Sequence, residues 1–132
     1  MVDRQMSILI VDDFGSMRTQ IREILKQMSF RNVIEARDGE EAKLALTKTK
    51  IDFIISDWNM PGCSGLDLLR HVRDDENYQD VPFLMVTAVG DKKNVIQAVE
   101  LKVSNYIVKP FTPENLEMKM RAILKSPEPL WE

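Results

Sequence analysis

The sequence has one cysteine, Cys63, in 132 residues. A single thiol excludes an internal disulfide and suits a reducing compartment. No metal-ligand spacing surrounds it, so a small packing residue is its expected role. Glycine is scarce as well, and the five present form no Gly-rich nucleotide fingerprint. No apolar run approaches the ~18 residues of a membrane span. Met1-Val2-Asp3-Arg4 lacks the basic start of a signal peptide. These absences point to a cytoplasmic protein without a membrane partner. Excess positive charge is also missing. With 18 basic and 21 acidic residues the net charge is −3, which argues against nucleic-acid binding. The single histidine, His71, falls between Arg70 and Arg73 on an expected helix, where a solvated residue is the ordinary reading.

What is present is a regular alternation. Hydrophobic residues make up 44% of the chain, enough for one core, and a single domain over 1–132 is expected, with no output domain. Ile8 to Val11 is a continuous β-branched run, as in a strand covered on both faces. Further strands are expected at Val33 to Ala36, Phe53 to Ser56, Phe83 to Thr87 and Val103 to Val108. Between them, apolar residues recur at helical spacing. Met17, Ile21, Ile24, Leu25 and Met28 mark a helix over 16–28. Asp38 and Glu41 suit a capping box ahead of Ala42, Leu44, Ala45 and Leu46. Ser64 caps a helix whose stripe is Leu66, Leu69 and Val72, widened by Leu68, and 74–80 reads as an acidic loop. Asp91 is placed to cap a helix reaching about Leu101. Thr112-Pro113 starts the last helix, which Leu116, Met120, Ile123 and Leu124 turn inward. The tail Leu130-Trp131-Glu132 is left either packed back or frayed. Five such units predict a doubly wound α/β fold: a parallel sheet with helices on both faces. Ligands of such sheets bind at the carboxyl ends of the strands.

Asp12, Asp13, Asp57, Thr87 and Lys109 all stand at expected carboxyl ends. Crowded carboxylates repel, each pair at ~4 Å by roughly 1 kcal/mol in water and about 4 at an effective dielectric near 20. A divalent cation removes that penalty. Oxygen donors without His or Cys favour a hard ion, and Mg²⁺ takes only one or two direct carboxylates. Asp57 can then attack phosphorus and form an acyl phosphate. Lys109 would supply a compact cation for a phosphoryl oxygen, and Thr87 a hydroxyl for another. The plainer alternatives are helix capping by Asp12 and Asp13 and an ordinary strand-end Thr87. Lys109-Pro110 is open to either isomer.

In this order, Asp12-Asp13, Asp57-Trp58-Asn59-Met60-Pro61-Gly62, Thr87-Ala88 and Tyr106 with Lys109-Pro110-Phe111 resemble the receiver domains of bacterial two-component systems. The likeness runs from Ile8 to about Lys125, and Asp57-Trp58-Asn59-Met60-Pro61 points to the CheY-like, single-domain response regulators. The resemblance implies a flavodoxin-like sheet of order 2-1-3-4-5 with five helices. It implies a signalling switch of chemotaxis that catalyses its own phosphotransfer and dephosphorylation, not a turnover enzyme. Asp57 would be the phosphoacceptor. Asp13, Asp57 and the Asn59 carbonyl would bind Mg²⁺ directly and Asp12 through water. Thr87 and Lys109 would contact the phosphoryl group, and Tyr106 would turn inward as an aromatic switch. The implied partners are a chemotaxis histidine kinase and the flagellar motor switch protein, with a phosphatase as a candidate third and a monomer as the expected state.

Two positions depart from that pattern. Lys102-Val103 stands where receivers often have Gly-Ala, placing a cation near the end of the fourth helix. Val89 is apolar where these receivers often carry an acid. Asn59 and Val89 would flank the path of the hydrolytic water, so a slower loss of the phosphoryl group is expected. Apolar residues on the fourth helix exceed one buried stripe. Val95 and Val99, beside Tyr106 and rimmed by Lys92, Lys93 and Lys119, suit an acidic amphipathic partner. Within the family, a phosphorelay or a pathway unrelated to motility is the alternative. A flavodoxin-like electron carrier would need a Ser/Thr/Gly-rich phosphate loop where Asp12 and Asp13 stand. A Mg²⁺-dependent phosphohydrolase of small molecules would place two Asp one residue apart and carry a cap domain.

Overall fold

The structure, a computed structural model, describes residues 2–131. Five strands alternate with five helices: β1 (Ile8–Val11), α1 (Gly15–Gln27), β2 (Val33–Ala36), α2 (Gly39–Lys48), β3 (Phe53–Asp57), α3 (Gly65–Asp74), β4 (Phe83–Ala88), α4 (Lys92–Glu100), β5 (Asn105–Lys109) and α5 (Pro113–Leu124). The strands are parallel, in the order β2-β1-β3-β4-β5. The chain therefore winds outward from β1 in one direction to β2, then returns to β3 and proceeds the other way. The reversal falls between β1 and β3, where a doubly wound sheet opens a crevice.

Alternation along the buried strands divides the interior in two. Ile8, Ile10, Phe53, Ile55, Leu84 and Val86 face α1 and α5, against Ile21, Leu25, Leu116 and Met120. Leu9, Val11, Ile54, Phe83 and Met85 face the other side, against Ala42, Leu68, Leu69, Val72 and Ala98 of α2, α3 and α4. Continuous apolar strands are the sequence trace of this double cover.

Several local expectations are refined. Asp38 accepts from the Glu41 N–H, but Glu41 reaches back to the N–H of Arg37 rather than that of Asp38. Leu44 is 52% exposed, because α2 turns Ala42 and Leu46 inward and leaves Leu44 in solvent. Asp91 stands at the N-cap of α4 without capping it; its carboxylate bonds the Asn94 side chain. Ser64 and Thr112 do cap, each in a full capping box with Asp67 and Asn115. The polar stretch after α3 starts one residue later than expected, since Asp74 is still helical.

The fifth strand begins at Asn105, not Val103. The Val103 N–H is taken by the Ala98 carbonyl in the closing turn of α4, and Lys102 there adopts φ 64°. That left-handed conformation costs a side-chain-bearing residue roughly 1–2 kcal/mol, which is why glycine suits the position. The Lys102 carbonyl accepts from Arg73 Nε at 3.0 Å. Leu130 and Trp131 of the tail pack back, and Glu132 lies outside the described residues. Leu130 is fully buried in the α1–α5 core, and its N–H donates to Glu117 Oε2 at 2.8 Å.

Candidate functional site

Asp57 closes β3 and is 5% exposed. Its expected charge partners come from two other strand ends, β1 and β5. Lys109 closes β5, and its ammonium reaches back across β4 to lie 3.0 Å from Asp57 Oδ1 and 3.9 Å from Asp12 Oδ2. The Lys109–Pro110 peptide bond is cis. Asp12 follows β1 and is buried, and Asp13 beside it is exposed. One carboxylate oxygen from each of Asp12, Asp13 and Asp57 lies within 4.8 Å of the others.

Asp12 does not cap α1. Its Oδ1 accepts the Phe14 N–H at 2.9 Å, inside the loop, and Phe14 itself stands at the N-cap without a side-chain bond. The Asp12 N–H donates to the Ala36 carbonyl at 3.1 Å. These bonds leave one carboxylate oxygen over. Among the described residues, Asp12 Oδ2 and Thr87 Oγ1 are the buried side-chain oxygens that no hydrogen bond reaches. Such a group costs about 1–3 kcal/mol when left unpaired. Two of them, at strand ends on either side of Asp57, are what a site shaped for a further ligand would hold. The donors are all oxygen and mostly anionic, a set that fits a hard divalent cation.

The electrostatics agree. Burial pushes the Asp57 carboxyl above its usual 3.8, and the hydrogen bond and charge of Lys109 pull it part of the way back. Burial also raises Asp12, opposed by the Phe14 N–H and reinforced by the Asp57 charge. Two desolvated carboxylates with one ammonium between them form a pocket short of positive charge.

The remaining expected residues divide. Asn59 is exposed two residues after Asp57, and Val89 is 75% exposed two residues after Thr87. Tyr106 is half-buried on β5, with the Lys119 ammonium 5.0 Å from its ring centroid. Val89, Tyr106, Val108, Met118 and Lys119 line one groove between β5 and α5. Neither Val95 nor Val99 lines it. Val99 is 59% exposed on α4 together with Lys92, while Val95 is half-buried. Other residues escaped notice in the sequence. Gly65 lets α3 start against β3: a Cβ there would meet the Asp57 carbonyl at 2.3 Å. Gly39 is pressed against Cys63, whose Sγ would lie 2.4 Å from an added Cβ. The small residue following a capping serine was the only local hint of the first.

Comparison with known proteins agrees with this geometry. The response regulator receiver domain model matches residues 8–121. The chain is similar to chemotaxis protein CheY of Pseudomonas aeruginosa, 46% identical over 91% of this chain and 97% of that one. It is similar to chemotaxis protein CheY-3 of Vibrio cholerae, 43% identical over 94% and 95%. Among solved structures, chemotaxis protein CheY4 of Vibrio cholerae superposes with a TM-score of 0.83 at 31% identity, covering 90% of this chain and 98% of that one.

Proposed function

The chain belongs to the response regulator receiver domain family, of the CheY type, and from that premise we propose that Asp57 accepts a phosphoryl group from a phosphohistidine of a chemotaxis kinase. The observation that carries the reading is the convergence at one sheet edge of Asp57, Lys109 and two buried oxygens that no hydrogen bond reaches, Asp12 Oδ2 and Thr87 Oγ1.

The chemistry follows from the residues. An Asp57 oxygen attacks phosphorus, an O–P bond forms, and the P–N bond to imidazole breaks with its electrons leaving on nitrogen. Lys109, already 3.0 Å from Asp57, offsets charge on the transferring oxygens. The Thr87 hydroxyl, buried without a partner, donates to one of them. Receiver domains bind Mg²⁺ at an Asp cluster, and here Asp12, Asp13, Asp57 and the Asn59 carbonyl would hold it. When bound, the ion neutralises charge on the phosphoryl oxygens. Reversal by water breaks the O–P bond, releases phosphate and restores the carboxylate. Val89, apolar and exposed two residues after Thr87, offers that water no hydrogen bond, so a Val89→Glu variant should lose its phosphoryl group at a different rate, and faster loss is expected.

The proposed output surface is the groove of Tyr106, Met118 and Lys119, together with Val99, exposed on α4. A cation beside apolar surface suits an acidic amphipathic segment, and the flagellar motor switch protein is the proposed partner. The test is binding of the phosphorylated chain to that protein. Met118→Asp with Val99→Asp should abolish binding while phosphotransfer to Asp57 persists. Retained binding would move the docking surface elsewhere on the chain; absence of binding by the phosphorylated wild type would point to another pathway or a phosphorelay.

A further inference from the structure

The loop that carries Asp12 and Asp13 is held from outside by an arginine the chemistry above does not use. Arg18, on the first turn of α1, donates from Nη1 to the Asp12 carbonyl at 2.6 Å. The same guanidinium donates from Nε to Glu35 Oε1 at 2.9 Å. Glu35 stands on β2, and its other oxygen pairs with Arg22 Nη2 at 2.6 Å. The Arg18 side chain is 16% exposed, so this is not a freely solvated surface pair. A planar fork that bonds two acceptors at once is fixed in direction in a way that a lysine is not.

The geometry points to Arg18 as a positioning residue for the cation site, latched by Glu35. Asp12 is already tied by its N–H to Ala36 and by Oδ1 to the Phe14 N–H. Its carbonyl belongs to the Asp12–Asp13 peptide, so the Arg18 bond sets the plane from which the Asp13 side chain departs. Among the described residues, no side-chain hydrogen bond restrains Asp13, which is exposed. The latch therefore supplies order to the ligand that has least of its own. Partners behind first ligands typically command 10–100-fold in metal affinity.

The inference rests on the Mg²⁺ reading and separates from it by sign. Arg18 is a cation near an acidic pocket. If it acted only through charge, its removal would relieve repulsion and tighten Mg²⁺. A latch predicts the opposite. Mg²⁺ alone is titrated calorimetrically into the wild type, Arg18→Met, Arg18→Lys and Glu35→Gln, and thermal melts in chelator report folding. Expected are about tenfold weaker binding for Arg18→Met, similar weakening for Arg18→Lys despite its retained charge, and a smaller loss for Glu35→Gln. Equal or tighter binding in folded Arg18→Met, or full affinity in Arg18→Lys, overturns the latch. Absence of Mg²⁺ binding by the wild type instead overturns the site reading itself.

Discussion

The Lys109 ammonium lies 3.0 Å from the Asp57 carboxylate, although the two residues end strands separated by β4. The pair joins the proposed acceptor of the phosphoryl group to a cation on the strand that also carries Tyr106. Change at Asp57 therefore has a short physical route to the outer groove, and the cost of keeping the pocket ready can be measured.

Asp12 and Asp57 give that cost a pH signature. Both carboxyls are raised by burial in the folded chain. The native state then holds their protons to higher pH than the unfolded chain does, so stability falls as pH rises from near 3.8 through the folded values. Asp12→Asn should be more stable by about 1 kcal/mol at neutral pH without Mg²⁺, a shift of roughly 4 °C. The advantage should shrink at acid pH. Excess Mg²⁺ should reverse the order, since an ion at a hundred times its Kd adds about 2.7 kcal/mol to the form that binds it. Thermal melts across pH, with and without Mg²⁺, check all three.

Thr87 should show the same conflict in a neutral group. Its hydroxyl is buried and unpaired. Thr87→Val should raise the stability of the unphosphorylated chain by about 1 kcal/mol, while slowing phosphotransfer and weakening partner binding. A lower melting temperature would mean that the hydroxyl is already satisfied.

Gly65→Ala should misplace the acceptor. The added methyl would lie 2.3 Å from the Asp57 carbonyl and 3.0 Å from Trp58 Cα, both backbone atoms that cannot rotate aside. Overpacking of this kind costs about 1–3 kcal/mol. Denaturant melts should show that loss together with slower phosphotransfer; a neutral outcome would show that α3 can slide.

Leu130→Ala should unfasten the tail. Leu130 is fully buried, its N–H held by Glu117 at 2.8 Å and its carbonyl by Arg4 Nη1 at 3.1 Å. Loss of a buried leucine costs about 2–5 kcal/mol. Proteolysis after α5 should accelerate, and an unchanged cleavage rate would show that the tail contributes little.

The strands were legible, but for the start of β5, because each is a short and largely apolar run, and their carboxyl ends could be read where apolar residues gave way to Asp12, Asp57 and Thr87. That alone assembled the candidate site, since a parallel sheet brings every such end to one edge. What stayed hidden depends on distance in sequence. Arg18 and Glu35 meet across 17 residues, and Leu130 packs against helices far earlier in the chain. Spacing cannot show that Asp91 turns to Asn94 instead of the backbone, nor that Leu44 faces water while Leu46 does not.

The central claim is tested most directly by transfer of a labelled phosphoryl group from a phosphohistidine donor. Wild type with Mg²⁺ should take up label in a hydroxylamine-labile linkage, as an acyl phosphate requires. Chelator should abolish uptake, and Asp57→Asn should take up none. Label entering Asp57→Asn, or transfer indifferent to chelator, would contradict the account.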